Sequence, residues 1–267
     1  MLFPFHDDNP TERTPVVTVA LIAANLIVLV AIQRLPLRDR QLAVYHRGFV
    51  PARITQFPEP VVIAFERKAV FHPVLGPILP QQQNLRLDPV PRQIAASLLT
   101  CMFLHAGWLH LIGNMWFLWV FGNNVEDRLG SLLFLVLYLL GGLLASGCHW
   151  LTDPKSVIPV IGASGAVAAV LGAYAITWPW ARIHTLVFLF VFITIIDLPA
   201  LLVLGVWFLG QLLEGTKALD PRITGGVAWW AHVGGFVAGM VLMPVFSLAV
   251  GAERQPRSAR QTIQDSW

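Results

Sequence analysis

The apolar residues of this chain gather into uncharged blocks of about 18 to 25 residues, long enough to cross ~30 Å of hydrocarbon at 1.5 Å per residue. Composition agrees with that pattern. The 267 residues are 56% hydrophobic and only 12% charged, against roughly 25% charged in an ordinary soluble domain. Mean hydropathy is +0.66, which leaves too few polar side chains to cover a water-soluble globule. A transmembrane β-barrel is excluded as well, because the blocks are continuously apolar rather than alternating over ~10-residue segments. The sequence predicts an all-α polytopic membrane protein embedded in a lipid bilayer.

Six spans are predicted, at about 15–33, 104–123, 131–151, 161–178, 198–214 and 227–248. A cytoplasmic segment over 1–14 precedes them, and a polar cytoplasmic tail over 251–267 follows the membrane domain at 15–250. The acidic and Pro-containing first fourteen residues make a poor signal-peptide n-region, so the first block is expected to be retained. Between spans one and two lies a long Pro- and Arg-rich loop whose apolar pieces, PVVIAF and VFHPVLGPILP, are too short or too Pro-broken to cross. Asp197 and Pro199 interrupt the apolar region 183–214, which points to a membrane-dipping loop over 182–197 before the fifth span. Cys101 and Cys148 fall in or beside apolar blocks and are expected to be core fillers rather than a disulfide or metal pair.

Basic residues in the short loops give an orientation. With the N-terminus inside, Arg13, Arg128, Arg182, Arg254, Arg257 and Arg260 face the cytoplasm, and Lys155, Lys217 and Arg222 face outward. Both termini are thus expected in the cytoplasm. The net charge of +3 carries no dense basic run, so no nucleic-acid partner is expected.

Polar groups within spans are costly, and each is a functional candidate. His110 and Asn114, at i and i+4, share one face near the start of span two. Ser164 opens span four between glycines in Gly162-Ala163-Ser164-Gly165. His232 opens span six, followed at i+3 and i+7 by Gly235 and Gly239. Spans two, four and six run in one direction, so these groups lie at similar depth, on the outer side. Small-residue stripes on spans four (Ser164, Ala168, Gly172) and six let the two backbones approach closely. Such an approach would bring the Ser164 hydroxyl to the His232 imidazole, the geometry of a nucleophile with its general base. His110, Asn114 and backbone N–H groups at the start of span four are candidate oxyanion donors. No carboxylate is placed to orient His232, which makes this a dyad rather than a triad.

These residues resemble the rhomboid intramembrane serine proteases over about 230 residues, with the motifs in order. FLHAGWLHLIGNMWFLWVFGNNVEDRLG is similar to the family's second span and following turn, GASGAVAAVLGA to its nucleophile segment and AHVGGFVAG to its base segment. FPFHDDNPTERTP and GFVPARI resemble bacterial members. The resemblance implies a six-helix rhomboid-like bundle with a long first extracytoplasmic loop, in a bacterial inner membrane. It implies cleavage of single-span membrane proteins in or near the transmembrane segment, with Ser164 as nucleophile, His232 as base, and His110 and Asn114 as oxyanion donors. Two positions depart from the family's habit. The aromatic often found four residues after the nucleophile is Ala168, and a Trp-Arg pair in the first loop is Ala96-Ser97.

His105 and His110 lack the His-Glu-x-x-His arrangement; no metal or cofactor is expected, and His105 reads as a supporting residue. His149 and His184 read as interfacial. A catalytically inactive relative that binds membrane helices is the alternative function. A small transporter is a third, for which paired broken helices are missing.

Overall fold

In the computed structural model, residues 2–66, 70–72, 76–78, 82–189, 192–220 and 226–250 are described. The elements in chain order are β1 (Leu2–Asp7), α1 (Val16–Gln33), α2 (Leu37–Arg47), α3 (Ala52–Thr55), β2 (Val61–Glu66), β3 (Val70–His72), β4 (Gly76–Ile78) and β5 (Gln82–Leu87). They continue with α4 (Pro91–Thr100), α5 (Trp108–Leu129), α6 (Ser131–Thr152), α7 (Ser164–Thr177), β6 (Arg182–Leu189), β7 (Phe192–Pro199), α8 (Ala200–Lys217) and α9 (Trp229–Val250).

Four helices, α1, α6, α8 and α9, are long and apolar enough to cross a membrane alone, and α5 qualifies together with the segment Pro91–Phe103, bent from it by 81°. Their outward residues are apolar, among them Ile27, Leu132, Leu213 and Leu248, as a lipid-facing surface requires. Helix α7 differs. Its 14 residues span only ~21 Å, and from Gly165 to Ala175 every residue is buried. It is the central rod of the bundle, sheathed by its neighbours. Expected span four therefore contains a shorter helix than its bounds suggest, because 161–163 form the turn that leads into Ser164.

Small residues set how near the neighbours come. A Cβ on Gly239 would lie 1.8 Å from the Ala169 carbonyl oxygen, and one on Gly235 would lie 2.1 Å from that of Gly165. From the opposite side, a Cβ on Gly172 would meet the Phe236 carbonyl oxygen at 2.0 Å. Only glycine permits this backbone-to-backbone approach of α7 and α9.

The dipping loop expected at 182–197 is instead an antiparallel hairpin, β6–β7, pairing Arg182 with Pro199 and His184 with Asp197. The run is rich in β-branched residues, which fit a pleated sheet, and Pro199 ends the strand and leads into α8. The N-terminal segment also differs from the simple tail expected there. Its strand β1 adds to β6 in a three-stranded sheet of order β1-β6-β7. The long first loop is likewise structured, with α2, α3, the β2–β5 pair and α4; PVVIAF supplies β2. The expected tail, 251–267, lies outside the described residues.

Buried polar groups fasten the sheet end to the helices. Asp7 accepts from the Tyr174 hydroxyl at 2.5 Å and from Asn124 Nδ2 at 2.8 Å. Its burial pushes the carboxyl above the usual carboxylate range. Glu126 of α5 receives the N–H groups of Val17 and Thr18 and the Ser131 hydroxyl. It thereby caps the N-terminus of α1, where Pro15 offers no side-chain cap.

His184, expected at an interface, sits in the sheet between two carboxylates: Nδ1 is 2.6 Å from Asp197 and Nε2 2.7 Å from Asp8. The His6 ring stacks on it at 5.5 Å. No metal site was expected, yet donor atoms of His6, Asp8 and His184 all lie within 4.8 Å of one another. The near-parallel rings and the doubly engaged His184 nitrogens describe an ion-paired cluster that ties β1 to the hairpin.

The hydrogen bond to Asp197, then that to Asp8, raises the His184 pKa above its ordinary value. A raised folded-state pKa adds stability that is fully present below the unfolded value of about 6.5 and is lost as pH rises through the folded one. Thermal unfolding in detergent should show wild type exceeding His184→Gln in Tm at pH 6, with the gap closing by pH 9. A gap that stays constant or widens with pH contradicts this.

Candidate active site

The first turn of α7 points Ser164 into a cavity of about 600 Å³. The wall is built by α5 (His110, Asn114), α6 (His149), α8 (Trp207, Gln211) and the start of α9 (His232). Because α7 is enclosed by protein, its N-terminal N–H groups can face this space without contacting lipid. The first intrahelical bond of this turn runs from Val167 N to Ala163 O, leaving the N–H groups of Ser164, Gly165 and Ala166 as the helix's orphan donors.

The Ser164 hydroxyl and the His232 ring are in contact: Oγ is 2.7 Å from Nε2. Gly235 and Gly239, on the His232 stripe, create that distance by letting α9 close on α7. Gly165 takes part from the other side, since its carbonyl oxygen occupies the place of any Gly235 Cβ.

On the facing wall, His110 Nδ1 accepts a long, 3.4 Å hydrogen bond from the Ala106 N–H. That leaves Nε2 as the ring's N–H donor, on the edge nearest Gly162. Asn114 is buried and uses one amide hydrogen on the His110 carbonyl at 3.0 Å; the second remains to serve the cavity. His105 lies behind, its ring edge-on to His110 at 5.1 Å. Neither His105 ring nitrogen has a hydrogen-bond partner among the described residues, so it supports His110 by packing.

Gly162 shapes the space between these groups. Its φ is +121°, and a Cβ there would stand 2.8 Å from His110 Nε2 and 3.6 Å from Ser164 Oγ. The absence of a side chain on Gly162 keeps open the point where an oxygen could meet both His110 and Ser164. Its own N–H is committed to the Cys101 carbonyl at 2.9 Å, so the orphan donors of α7 begin at Ser164.

Two features of the site escape the motif reading. Gln211 of α8 accepts a 2.6 Å hydrogen bond from His232 Nδ1; a lone glutamine in an apolar helix carries no spacing signal. His149 faces the cavity and its Nδ1 is buried without a partner among the described residues, whereas a position near a span end suggested an interface. The place of the aromatic absent at Ala168 also becomes clear. Ala168 is fully buried against Gly235, and a larger side chain there would push α9 away. Aromatic rings reach His232 from elsewhere: Trp207 of α8 at 6.2 Å and Trp229 edge-on at 6.0 Å. Cys101 and Cys148 are unbridged.

Fold and site together define a multi-pass helical membrane protein whose buried cavity holds a serine against a histidine. The sequence model of the Rhomboid domain matches residues 92–249, more than half of the chain, and the protein belongs to the rhomboid family. It is 32% identical over 162 residues to Rhomboid-like protein 11, chloroplastic, of Arabidopsis thaliana, covering 55% of this chain and 51% of that one. It is 33% identical over 180 residues to Rhomboid protein 1, mitochondrial, of Saccharomyces cerevisiae, covering 65% and 47%. With Presenilin-associated rhomboid-like protein A, mitochondrial, of Danio rerio, it shares 27% identity over 177 residues, 63% and 42% of the two chains. The chain thus spans about half the length of the curated relatives it matches.

Gly162→Ala would impose a strained left-handed backbone, costing about 1–2 kcal/mol, and would crowd His110. Gly107, with open space around its Cβ position, is the control. Thermal unfolding should place Gly162→Ala several degrees below wild type and Gly107→Ala beside it; equal melting of the two variants contradicts the assignment.

Proposed function

We propose that the chain is an intramembrane serine endopeptidase that hydrolyses a peptide bond in or near the transmembrane segment of single-span membrane proteins. The observation that carries this reading is the 2.7 Å contact between Ser164 Oγ and His232 Nε2 inside the cavity. The hydroxyl donates to Nε2, so the imidazole lone pair is placed to take that proton as Oγ attacks a carbonyl carbon. His232 then returns the proton to the leaving amine, and the acyl-enzyme is released by water activated at the same nitrogen. Negative charge on the carbonyl oxygen would be met by the His110 Nε2–H, the free Asn114 amide hydrogen and an N–H from the first turn of α7. Each such donor is worth roughly 10²–10³ in rate. Residues of this chain supply every proton transfer, so the proposed step uses no metal or cofactor.

In this reading the bundle has six spans, formed by α1, bent α4–α5, α6, the short buried α7, α8 and α9. The N-terminal strand and the hairpin lie at the end opposite Ser164. This arrangement and the arginine count support a topology with both termini in the cytoplasm and the cavity toward the outer side. The bacterial-type N-terminal motif favours a bacterial inner membrane, although the relatives named above carry organellar names.

Purified protein in detergent or liposomes, given a single-span substrate, tests the proposal. Ser164→Ala and His232→Ala should each lower cleavage by at least about 10³-fold, with thermal unfolding unchanged, and a chelator should have no effect. Cleavage that survives Ser164→Ala and stops with a chelator would overturn it.

A further inference from the structure

We infer that Gln211 is the positioning residue of the base: its amide carbonyl holds His232 in the one tautomer that can accept the Ser164 proton. The inference rests on the proposed role of His232 and adds a third member to the pair. Its geometry is a directional chain. His232 Nδ1 lies 2.6 Å from Gln211 Oε1, and His232 Nε2 lies 2.7 Å from Ser164 Oγ. A carbonyl oxygen can only accept, so Nδ1 carries the hydrogen and Nε2 carries the lone pair. The opposite tautomer would aim an N–H at the serine hydroxyl, which could then accept a hydrogen bond but could not surrender its proton.

Other contacts of the ring do not set the tautomer. Trp207 and Trp229 touch it through their rings, at 6.2 and 6.0 Å, and fix its plane without distinguishing one nitrogen from the other. The ionisable groups near His232 are the neutral-capable rings of His110 on α5 and His149 on α6; a carboxylate partner for Nδ1 is absent among the described residues. Ala168, buried beneath α9, has no polar atom to offer. The task falls to α8, one helical turn beyond Trp207, so one face of α8 supplies both the aromatic contact and the acceptor. An amide differs from the carboxylate of a hydrolase triad in a defined way. With its oxygen turned to Nδ1, as here, it selects the same tautomer as a carboxylate, but it brings no charge to stabilise the imidazolium formed during attack.

Three readouts test this. Selective ¹⁵N labelling of histidine should show His232 protonated at Nδ1 and bare at Nε2 in wild type, and a mixture of tautomers in the near-isosteric Gln211→Met. Cleavage of a single-span substrate by Gln211→Met should fall roughly 10- to 100-fold in kcat, the range for loss of one buried hydrogen bond, with KM within about twofold. In Gln211→Glu, which restores the acceptor and adds charge, activity should return and the acidic limb of the pH–rate profile should move upward by about one unit or more. Unchanged tautomer and unchanged kcat in Gln211→Met overturn the inference. So does a Gln211→Glu variant whose acidic limb stays where wild type has it, which also decides the matter if the methionine variant does not fold. The spectrum reports on Gln211 without turnover, whereas wild-type cleavage indifferent to Ser164→Ala would count against the peptidase reading alone.

Discussion

The close approach of α7 and α9 governs the rest of the molecule. Backbone contacts at Gly172, Gly235 and Gly239 leave no room for a Cβ, and they hold the first turns of both helices side by side. Ser164 and His232 occupy those turns, so their contact follows from packing deeper in the bundle rather than from a loop. A helix pair this tight gains dispersion contact along its length, which in a lipid environment replaces the hydrophobic drive available in water. The same closeness explains why Ala168 is small and why the aromatic contacts with His232 come from Trp207 of α8 and Trp229 of α9 rather than from α7.

The second constraint is the burial of α7. A polar nucleophile can sit at membrane depth only where protein, not lipid, surrounds it. The ring of α5, α6, α8 and α9 supplies that surround and leaves a cavity at one end. At the other end, Asp7, Asn124 and Tyr174 join the N-terminal strand to α5 and α7, while Glu126 joins α5 to α1. Side-chain hydrogen bonds tie the sheet end together, and the cavity that holds Ser164 lies at the opposite end.

Much of this was legible in the residues, and the exceptions have physical causes. The apolar blocks mark the long helices because 3.6-residue geometry and hydrocarbon thickness both act locally on the sequence. The small-residue stripe from His232 through Gly239 could be seen, since side chains at i, i+3 and i+7 share a face. The β6–β7 hairpin could not, because an apolar β-branched run before a proline fits a strand and a buried helix equally well. Strand β1 was hidden for another reason. Its partner β6 lies some 180 residues away in sequence, and six residues with a proline give no periodic signal alone. Gln211 was invisible because its meaning depends on which face α8 turns toward α9, a tertiary fact.

The measurement closest to the central claim is labelling of the intact protein with a fluorophosphonate, followed by mass-spectrometric mapping of the adduct. If α7 and α9 hold an activated serine against its base, wild type carries the adduct on Ser164 and folded His232→Ala carries none. A folded wild type left unmodified at Ser164, or an equal adduct in both proteins, would contradict the account.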